Sequence, residues 1–271
     1  MQADDAVNSW QQWDVRLHSR PTILAPLSGG RSNRSFLLDS DIGKLVLRLN
    51  GTDSLLPGST RNYESQIWQA ASERGIAPPL VYIDEQQGYL ISTWIDSIPS
   101  VQSTNGGKYS NQVIELLKRC HQLQVDAPMI DYSDHIERYW GNIEDSGQLA
   151  DPALIKQREP MHLLLATLIN SGTTTGLCHH DPVVANFVGD ADRLYLIDWE
   201  YAATGLLVMD YAALSVEWGI DEARVSAQTG LEPELLHMAK TLYGYICDLW
   251  EEQNGPRVEP GVTVDTPSFQ S

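Results

Sequence analysis

Short apolar runs separated by polar turns fill the first hundred residues of the chain. Runs of four to seven apolar or β-prone residues bounded by Gly, Asp, Asn or Ser predict β-strands, and they occur at 23–27, 35–38, 45–49, 77–83 and 89–95. One helical pattern interrupts them at 61–71, where Tyr63, Ile67, Ala70 and Ala71 share a face. This part is therefore predicted to be a small antiparallel β-rich lobe with one main helix.

From about Tyr109 the pattern becomes helical. Val113, Leu116, Leu117 and Cys120 recur at helix spacing, and helices are predicted at 111–123, 161–169 (opening after Pro160), 210–218 and 234–252. A Ser-, Gly- and Pro-rich stretch at 96–108 is typical of a linker. We therefore expect an α+β chain with an N-terminal lobe at 1–97, a larger, mainly helical lobe at 98–253 and a loose tail at 254–271.

A strand, a loop and a hairpin are predicted between Gly176 and Glu200. The strand 176–179 precedes a loop, and Phe187-Val188 is joined by a five-residue polar turn to the apolar run 194–197. A hairpin brings its two ends together, so Asn186 and Asp198 should converge.

Three polar residues of this segment suit phosphoryl transfer. That reaction needs a carboxylate to orient and deprotonate a hydroxyl, together with oxygen ligands that hold Mg²⁺ on the phosphates of ATP. Asp181 lies in the loop and suits the base, while Asn186 and Asp198 offer an amide and a carboxylate oxygen to Mg²⁺. The segment thus predicts an ATP-dependent small-molecule kinase.

The same residues carry a family resemblance. His179, Asp181 and Asn186 match the pattern H-x-D-x-x-x-x-N, and Ile197-Asp198-Trp199-Glu200 matches I-D-W-E. The chain thereby resembles the choline kinase, thiamine kinase and aminoglycoside phosphotransferase group. The resemblance implies a bilobal protein-kinase-like fold, a catalytic Asp181 with His179 in the catalytic motif, and Mg²⁺ on Asn186 and Asp198. Pro182 stands where leucine is common, between the functional positions.

The resemblance also implies a nucleotide site in the N-terminal lobe. Arg48 would hold the phosphates and pair with Glu64 on the following helix, and the end of the strand at 89–95 would receive adenine at Thr93 and Trp94. The polar turn before the second strand resembles the nucleotide loop of the family and supplies Gly29, Gly30, Ser32 and Asn33.

The acceptor alcohol is expected on the C-terminal side. By resemblance, this side comprises Glu200, Asp210, Glu217 and Trp218: Asp210 would brace the catalytic segment, and Glu217 and Trp218 would border the alcohol. Aromatic faces bind cationic groups, and this half of the chain supplies Tyr139, Trp140, Trp199, Tyr201, Tyr211, Trp218, Tyr243 and Trp250. Core packing is the expected role of most of these eight.

The composition of the chain limits the classes of molecule that it is expected to bind. With a net charge of −18 over 271 residues, the chain is a poor candidate for binding nucleic acid or anionic membranes, and it would attract cations. Three widely spaced cysteines predict neither a disulfide framework nor a metal cluster, and no apolar run could serve as a signal peptide or span a bilayer. A cytoplasmic enzyme acting on a small alcohol is expected, with its oligomeric state open.

Other functions remain open at this point. An aminoglycoside kinase also fits an acidic site, as does a sugar or amino-alcohol kinase of the same group. A pseudokinase that binds nucleotide as an interaction module is a third alternative, although Asp181, Asn186 and Asp198 are all present.

Overall fold

A five-stranded antiparallel sheet forms the N-terminal lobe of the computed structural model, which describes residues 1–27, 33–51, 60–84, 86–96, 108–190 and 192–255. Its elements are α1 (Ala3–Asn8), β1 (Thr22–Leu27), β2 (Arg34–Asp39), β3 (Leu45–Leu49), α2 (Arg61–Glu73), β4 (Leu80–Ile83) and β5 (Tyr89–Thr93). The strand order is β1-β2-β3-β5-β4. The five predicted strands and the helix are confirmed. Gly29, Gly30, Ser32, most of the linker and all but the start of the tail lie outside the described residues.

Strand β3 separates an apolar face of the sheet from a charged one. Leu45, Leu47 and Leu49 pack in a core with the N-terminal segment, whose buried side chains are Ala6, Val7, Trp13 and Leu17. Side chains alternate along a strand, so Arg48 lies on the opposite face, toward α2. The sequence pattern does not reveal that residues 1–17 cover the sheet.

The C-terminal part is mainly helical and carries two small sheets of two strands each. Strand β6 (Thr175–Cys178) pairs with β9 (Ala203–Leu206), and strand β7 (Phe187–Gly189) pairs with β8 (Leu194–Leu196), both antiparallel. The predicted hairpin is thereby confirmed. The elements are α3 (Ser110–His121), α4 (Tyr132–Asp145), α5 (Pro152–Asn170), β6 (Thr175–Cys178), β7 (Phe187–Gly189), β8 (Leu194–Leu196), β9 (Ala203–Leu206), α6 (Leu207–Glu217), α7 (Glu222–Thr229) and α8 (Pro233–Asn254). The sequence pattern does not predict α4, α7 or β9.

The helix predicted to begin after Pro160 begins earlier in the structure, as helix α5. It begins at Pro152, where Asp151 caps it by accepting from the N–H of Ala153, and it runs through Pro160 instead of opening there. An internal proline removes one backbone hydrogen bond. The helix nevertheless continues because Leu154 before the proline and Leu165 after it are both buried in the core.

One large core joins the two parts of the chain. Ile67 and Trp68 of α2 and Leu90 of β5 belong to the same buried cluster as the helices of the C-terminal part. This contact holds the charged face of β3 above the catalytic segment. Within the described ranges, no helix combines the length and apolarity needed to cross a bilayer.

Candidate active site

The loop after β6 places Asp181 and Asn186 side by side. The side-chain amide of Asn186 donates to the carbonyl oxygen of Asp181 (2.9 Å) and to its Oδ2 (2.8 Å). Asp181 is half-buried, whereas Asn186 is buried in a short 3-10 turn that leads into β7. The amide therefore fixes both the backbone and the carboxylate of Asp181.

Asp198 follows β8 at the other end of the hairpin. The N–H of Ile197 donates to the carbonyl of Asn186 (2.9 Å), which brings Asp198 next to the end of the catalytic loop. Its backbone lies in the left-handed region (φ 65°), and its Oδ1 has no hydrogen-bond partner among the described residues. Burial and the nearby Glu200 carboxylate raise the pKa of Asp198 to about 7, against the opposing effect of Arg48. Such a carboxylate is poised to accept a cation.

A buried ion-pair network lies above Asp198. Nη2 of Arg48 is 2.6 Å from Oε1 of Glu64, and its Nη1 is 3.5 Å from Oδ1 of Asp198. Arg61 contributes a second guanidinium 2.7 Å from Oε2 of Glu64. The Arg48 guanidinium also lies 4.9 Å from the ring of Trp68. Glu64 thus pairs with two arginines, and one of them faces the catalytic segment.

Glu200 lies with this network and not with the alcohol side. Its Oε2 accepts from the side-chain amide of Asn33 (2.9 Å) and is 3.8 Å from Nη1 of Arg61. Asn33 in turn accepts from the N–H of Gly51 (3.1 Å). Glu200 is only 4% exposed, so its carboxylate serves to join the two lobes beside the metal-ligand candidates.

Asp210 is fully buried beneath the catalytic loop. Its Oδ2 accepts from the N–H of His179 (2.8 Å) and from Nε2 of His121 (3.0 Å), and its Oδ1 accepts from the N–H of His180 (2.8 Å). Burial alone would raise the pKa of Asp210, but these donors lower it to about 2. The carboxylate braces the loop from below and cannot contact an alcohol.

The same carboxylate lies in a cluster with ligand-type atoms. His121, Cys178 and Asp210 place one such atom each within 4.8 Å of one another. Burial keeps the pKa of the Cys178 thiol well above its usual range, and both oxygens of Asp210 already accept N–H donors. A thiolate is what binds metals. The cluster is therefore a hydrogen-bonded support.

His179 links the catalytic loop to the segment of Asp198. Its Nε2 lies 3.1 Å from the carbonyl of Ile197, and its ring meets Trp199 edge-on at 4.9 Å. Burial lowers the pKa of His179 to about 4, so the imidazole is neutral and Nε2–H donates to that carbonyl. The side chain is 0% exposed and acts by positioning, without access to a substrate.

Trp218 lies under the loop, while Glu217 faces the last helix. The indole N–H of Trp218 donates to the carbonyl of Pro182 (3.0 Å), and the indole packs against Phe187. Glu217 accepts from the hydroxyl of Tyr243 (3.1 Å). Trp218 therefore offers no open aromatic face to an alcohol, although it shapes the loop that carries Asp181.

The backbone amides at the predicted adenine site already donate hydrogen bonds within the N-terminal lobe. The N–H of Thr93 donates to Pro79 (2.9 Å) and the N–H of Trp94 to Lys44 (3.1 Å). Neither amide can also donate to a base, so an adenine at this edge would meet the carbonyls here or the residues that follow Trp94. Gly29 and Gly30 of the predicted nucleotide loop lie outside the described residues.

Comparison with known proteins decides the family. The model of the phosphotransferase enzyme family APH matches residues 23–248. The chain belongs to this family. A LicA protein of Haemophilus influenzae is 25% identical over 208 residues, which cover 74% of this chain and 58% of that protein. A thiamine kinase of Escherichia coli O139:H28 is 29% identical over 216 residues, which cover 74% and 68%. The chain thus spans less than two thirds of the LicA relative.

Solved structures identify the fold of this phosphotransferase. A choline/ethanolamine kinase family protein from Mesorhizobium loti superposes with a TM-score of 0.70 at 19% identity, covering 92% of this chain and 85% of that one. The choline kinase LicA from Streptococcus pneumoniae gives 0.65 at 21% identity, covering 87% and 89%. A LicA structure in complex with AMP gives 0.70 at 21% identity, covering 92% and 88%. The α+β, protein-kinase-like fold is confirmed.

Tyr201 of the phosphotransferase lies near Asp181, and Tyr139 lies near Tyr201. Tyr201 follows Glu200 directly in the sequence. Burial is the largest effect that raises the pKa of Tyr201, and electrostatic interactions with Glu200, Tyr139 and Asp181 raise it further. Both tyrosines are half-buried, whereas Trp140, Trp199 and Tyr211 are core side chains. Tyr201 is thus a half-buried aromatic residue within electrostatic reach of Asp181, and Tyr139 is its half-buried neighbour. Sequence pattern alone could not separate them from the core.

Proposed function

We propose that this small-molecule phosphotransferase is an ATP-dependent kinase that transfers the γ-phosphoryl group to the hydroxyl of a small cationic alcohol of the choline or thiamine type. The observation that carries the proposal is the convergence of Asp181, Asn186 and Asp198 beneath the Arg48–Glu64 pair. A base, oxygen ligands and a phosphate-binding cation are the parts that phosphoryl transfer requires.

Asp181 is proposed as the base. Its Oδ2 is held by Asn186, so the carboxylate has a fixed orientation from which it can accept the proton of the attacking hydroxyl. Positioning of the nucleophile is a large part of what a kinase contributes, because the reaction itself needs little covalent work by the protein.

Asn186 and Asp198 are proposed to hold Mg²⁺. Oδ1 of Asp198, which accepts no hydrogen bond from the described residues, is a hard oxygen of the kind that Mg²⁺ prefers. The nitrogen of the Asn186 amide is committed to Asp181, so its oxygen is the remaining ligand atom. When bound with the nucleotide, the ion would neutralise charge on the phosphates.

Arg48 is proposed to hold the phosphates. Its guanidinium is buried, which strengthens its interaction with an anion, and Glu64 fixes its orientation at 2.6 Å. Arg48 now lies 3.5 Å from Asp198. On binding, Arg48 would contact the phosphates instead, and Asp198 would contact the metal.

We also propose that the boundary between the two lobes lies near residue 97.

A cationic acceptor is supported by the side chains around Asp181. Tyr201 and the neighbouring Tyr139 offer aromatic surface, and Asp181 adds negative charge, which together suit a quaternary ammonium or thiazolium group. Relatives named thiamine kinase, and a structural neighbour titled choline kinase, support the same class. All three cysteines are described and none is in a disulfide, which is compatible with the cytoplasmic location that we propose.

The experiment is ATP consumption by the purified protein with Mg²⁺ against choline, ethanolamine, thiamine and an aminoglycoside, with the phosphorylated product identified by mass spectrometry. Choline or thiamine is expected to give the highest kcat/KM. The variant Asp181→Asn should lose activity by at least about 100-fold while it keeps its melting temperature.

Two outcomes would replace the proposal. Preferred turnover of the aminoglycoside would indicate an antibiotic-modifying enzyme of the same family. Tight binding of Mg-ATP without product from any alcohol would indicate a pseudokinase.

A further inference from the structure

His180, immediately before Asp181, is held at three nitrogen atoms. Its backbone lies in the left-handed region (φ 64°), and its N–H donates to Asp210. Its ring is fixed at both nitrogens: Nδ1 lies 3.1 Å from the carbonyl of Tyr201, and Nε2 lies 2.9 Å from the hydroxyl of Tyr132 on α4. Left-handed backbone is unfavourable for a side chain such as histidine. The conformation therefore depends on contacts that hold it.

The direction of these hydrogen bonds follows from the carbonyl of Tyr201, which can only accept. Nδ1 of His180 therefore carries the ring proton and donates it to that carbonyl. In the neutral ring Nε2 is then unprotonated and accepts from the hydroxyl of Tyr132. The same hydroxyl accepts from the N–H of Leu206 (3.1 Å), so it can donate its own proton to Nε2. Every donor in this series of hydrogen bonds has an acceptor when His180 is neutral.

Gly205 provides the space for the contact. It lies on β9 opposite Gly176 of β6, and a Cβ built on it would be 2.5 Å from both Nε2 of His180 and the hydroxyl of Tyr132. No side chain could be accommodated there without separating the two rings. The glycine, the tyrosine and the histidine therefore form one unit.

We propose that Tyr132 and His180 are positioning residues for the catalytic base, with Gly205 leaving room for their hydrogen bond. The unit, which we call the tyrosine clamp, fixes the left-handed turn that immediately precedes Asp181. It rests on the proposed role of Asp181. Loosening the clamp should impair the chemical step and leave nucleotide binding intact, because none of its residues belongs to the Arg48–Glu64 network.

The test compares two buried tyrosine hydroxyls. Tyr132→Phe removes the donor to His180, whereas the control Tyr245→Phe removes a buried hydroxyl that accepts from the indole of Trp140 (3.1 Å) in the same lobe. Both variants should lose some thermal stability. Tyr132→Phe is expected to lower kcat about tenfold with an unchanged KM for ATP, and Tyr245→Phe is expected to keep the kcat of the unaltered enzyme. Equal kcat values for the two variants would refute the clamp.

A second readout is independent of turnover. In the ¹⁵N spectrum of labelled histidines, His180 of the unaltered protein should carry its proton on Nδ1, and its Nε2 resonance should move in Tyr132→Phe but stay in Tyr245→Phe. A proton on Nε2 in the unaltered protein would overturn the clamp even if the enzyme is active. Conversely, a protein that phosphorylates no alcohol but shows the expected spectrum would overturn the proposed function, and with it the catalytic role of the clamp, while the hydrogen bond between Tyr132 and His180 would stand.

Gly205→Ala provides a third arm, because it separates the rings without removing a polar atom. It should reproduce the lowered kcat and the moved Nε2 resonance of Tyr132→Phe. A fully active Gly205→Ala variant with an unmoved resonance would contradict the assigned role of the glycine.

Discussion

Replacing Asp198 by asparagine should stabilise the metal-free protein, and the gain should grow with pH. Burial and Glu200 raise the pKa of Asp198 to about 7 from its ordinary 3.8. The unfolded chain ionises near the lower value, so between the two the folded state binds the extra proton, and its stability falls as pH rises. The ionised carboxylate costs free energy that is absent below pH 3.8 and complete above pH 7. The neutral amide of the Asp198→Asn variant would not carry this cost.

The magnitude follows from the same shift. Between pH 5 and pH 8 the cost of Asp198 grows by about two pKa units, which is ~3 kcal/mol at 1.36 kcal/mol per unit. The side chain is 33% exposed, so solvent screening reduces this to roughly 1–2 kcal/mol. For a chain of this size, such a difference corresponds to a melting-temperature gain of roughly 3–6 °C.

The assay is thermal unfolding of both proteins in EDTA from pH 5 to pH 8. Burial lowers the pKa of His179 and His135 to about 4, which makes the folded state gain stability as pH rises through this range. Since that contribution is common to both proteins, the difference between them isolates Asp198. The control Asp192→Asn removes an exposed carboxylate of the same hairpin, so a change seen in both variants would not be specific to Asp198.

Mg²⁺ with a nucleotide should reverse the order of thermal stability of the unaltered protein and the Asp198→Asn variant. Ligands that bind the folded state stabilise it, and an ionised Asp198 is the form that binds a cation. The unaltered protein should therefore gain more from Mg-ATP at pH 8 than Asp198→Asn does. A stability difference that is flat with pH, or that favours the unaltered protein in EDTA at pH 8, would refute both the raised pKa and its cause.

Three further predictions address the other parts of the site. Arg48→Lys should raise the KM for ATP about tenfold, because a single ammonium cannot face Glu64 and Asp198 at once; an unchanged KM in steady-state kinetics would contradict it. Asp210→Asn should cost ~3 kcal/mol in urea unfolding, since it weakens three hydrogen bonds to a buried charge. The lowered pKa of Asp210, about 2, means that its stabilisation is present above pH 3.8 and lost as pH falls through 2, so the deficit of the variant should shrink in acid. Tyr201→Leu should raise the KM for the cationic alcohol severalfold and leave that for ATP unchanged, and equal effects on both would place the tyrosine outside the acceptor site.

Local pattern was sufficient for the parts of the site that lie close in sequence. The hairpin from Phe187 to Leu196 could be predicted because its strands are adjacent, and it fixes the relation of Asn186 to Asp198. Arg48 could be assigned to the charged face because strand side chains alternate. Both inferences depend on geometry that repeats within a few residues.

Long-range contacts could not be predicted in this way. The pair of Asn33 with Glu200 joins residues 167 positions apart, and nothing in either neighbourhood indicates the other. Nothing in the sequence around Tyr132 distinguishes it from other helical tyrosines or indicates its contact with His180. Gly205 lies in a strand that shows no apolar alternation, so the sequence concealed both β9 and its close approach to His180.

The carboxylates of Asp210 and Asp198 differ in how many of their hydrogen-bond acceptor positions are used. Asp210 accepts three N–H donors and holds a low pKa, so it is stable without any ligand and supports the loop. Asp198 has an oxygen that accepts no hydrogen bond from the described residues, a raised pKa and a left-handed backbone, and each of these costs the isolated protein free energy. A cation would satisfy that oxygen and favour the ionised form. The strain at Asp198 is therefore best explained by binding, whereas the order at Asp210 is explained by folding, and the sequence motif alone treats the two residues alike.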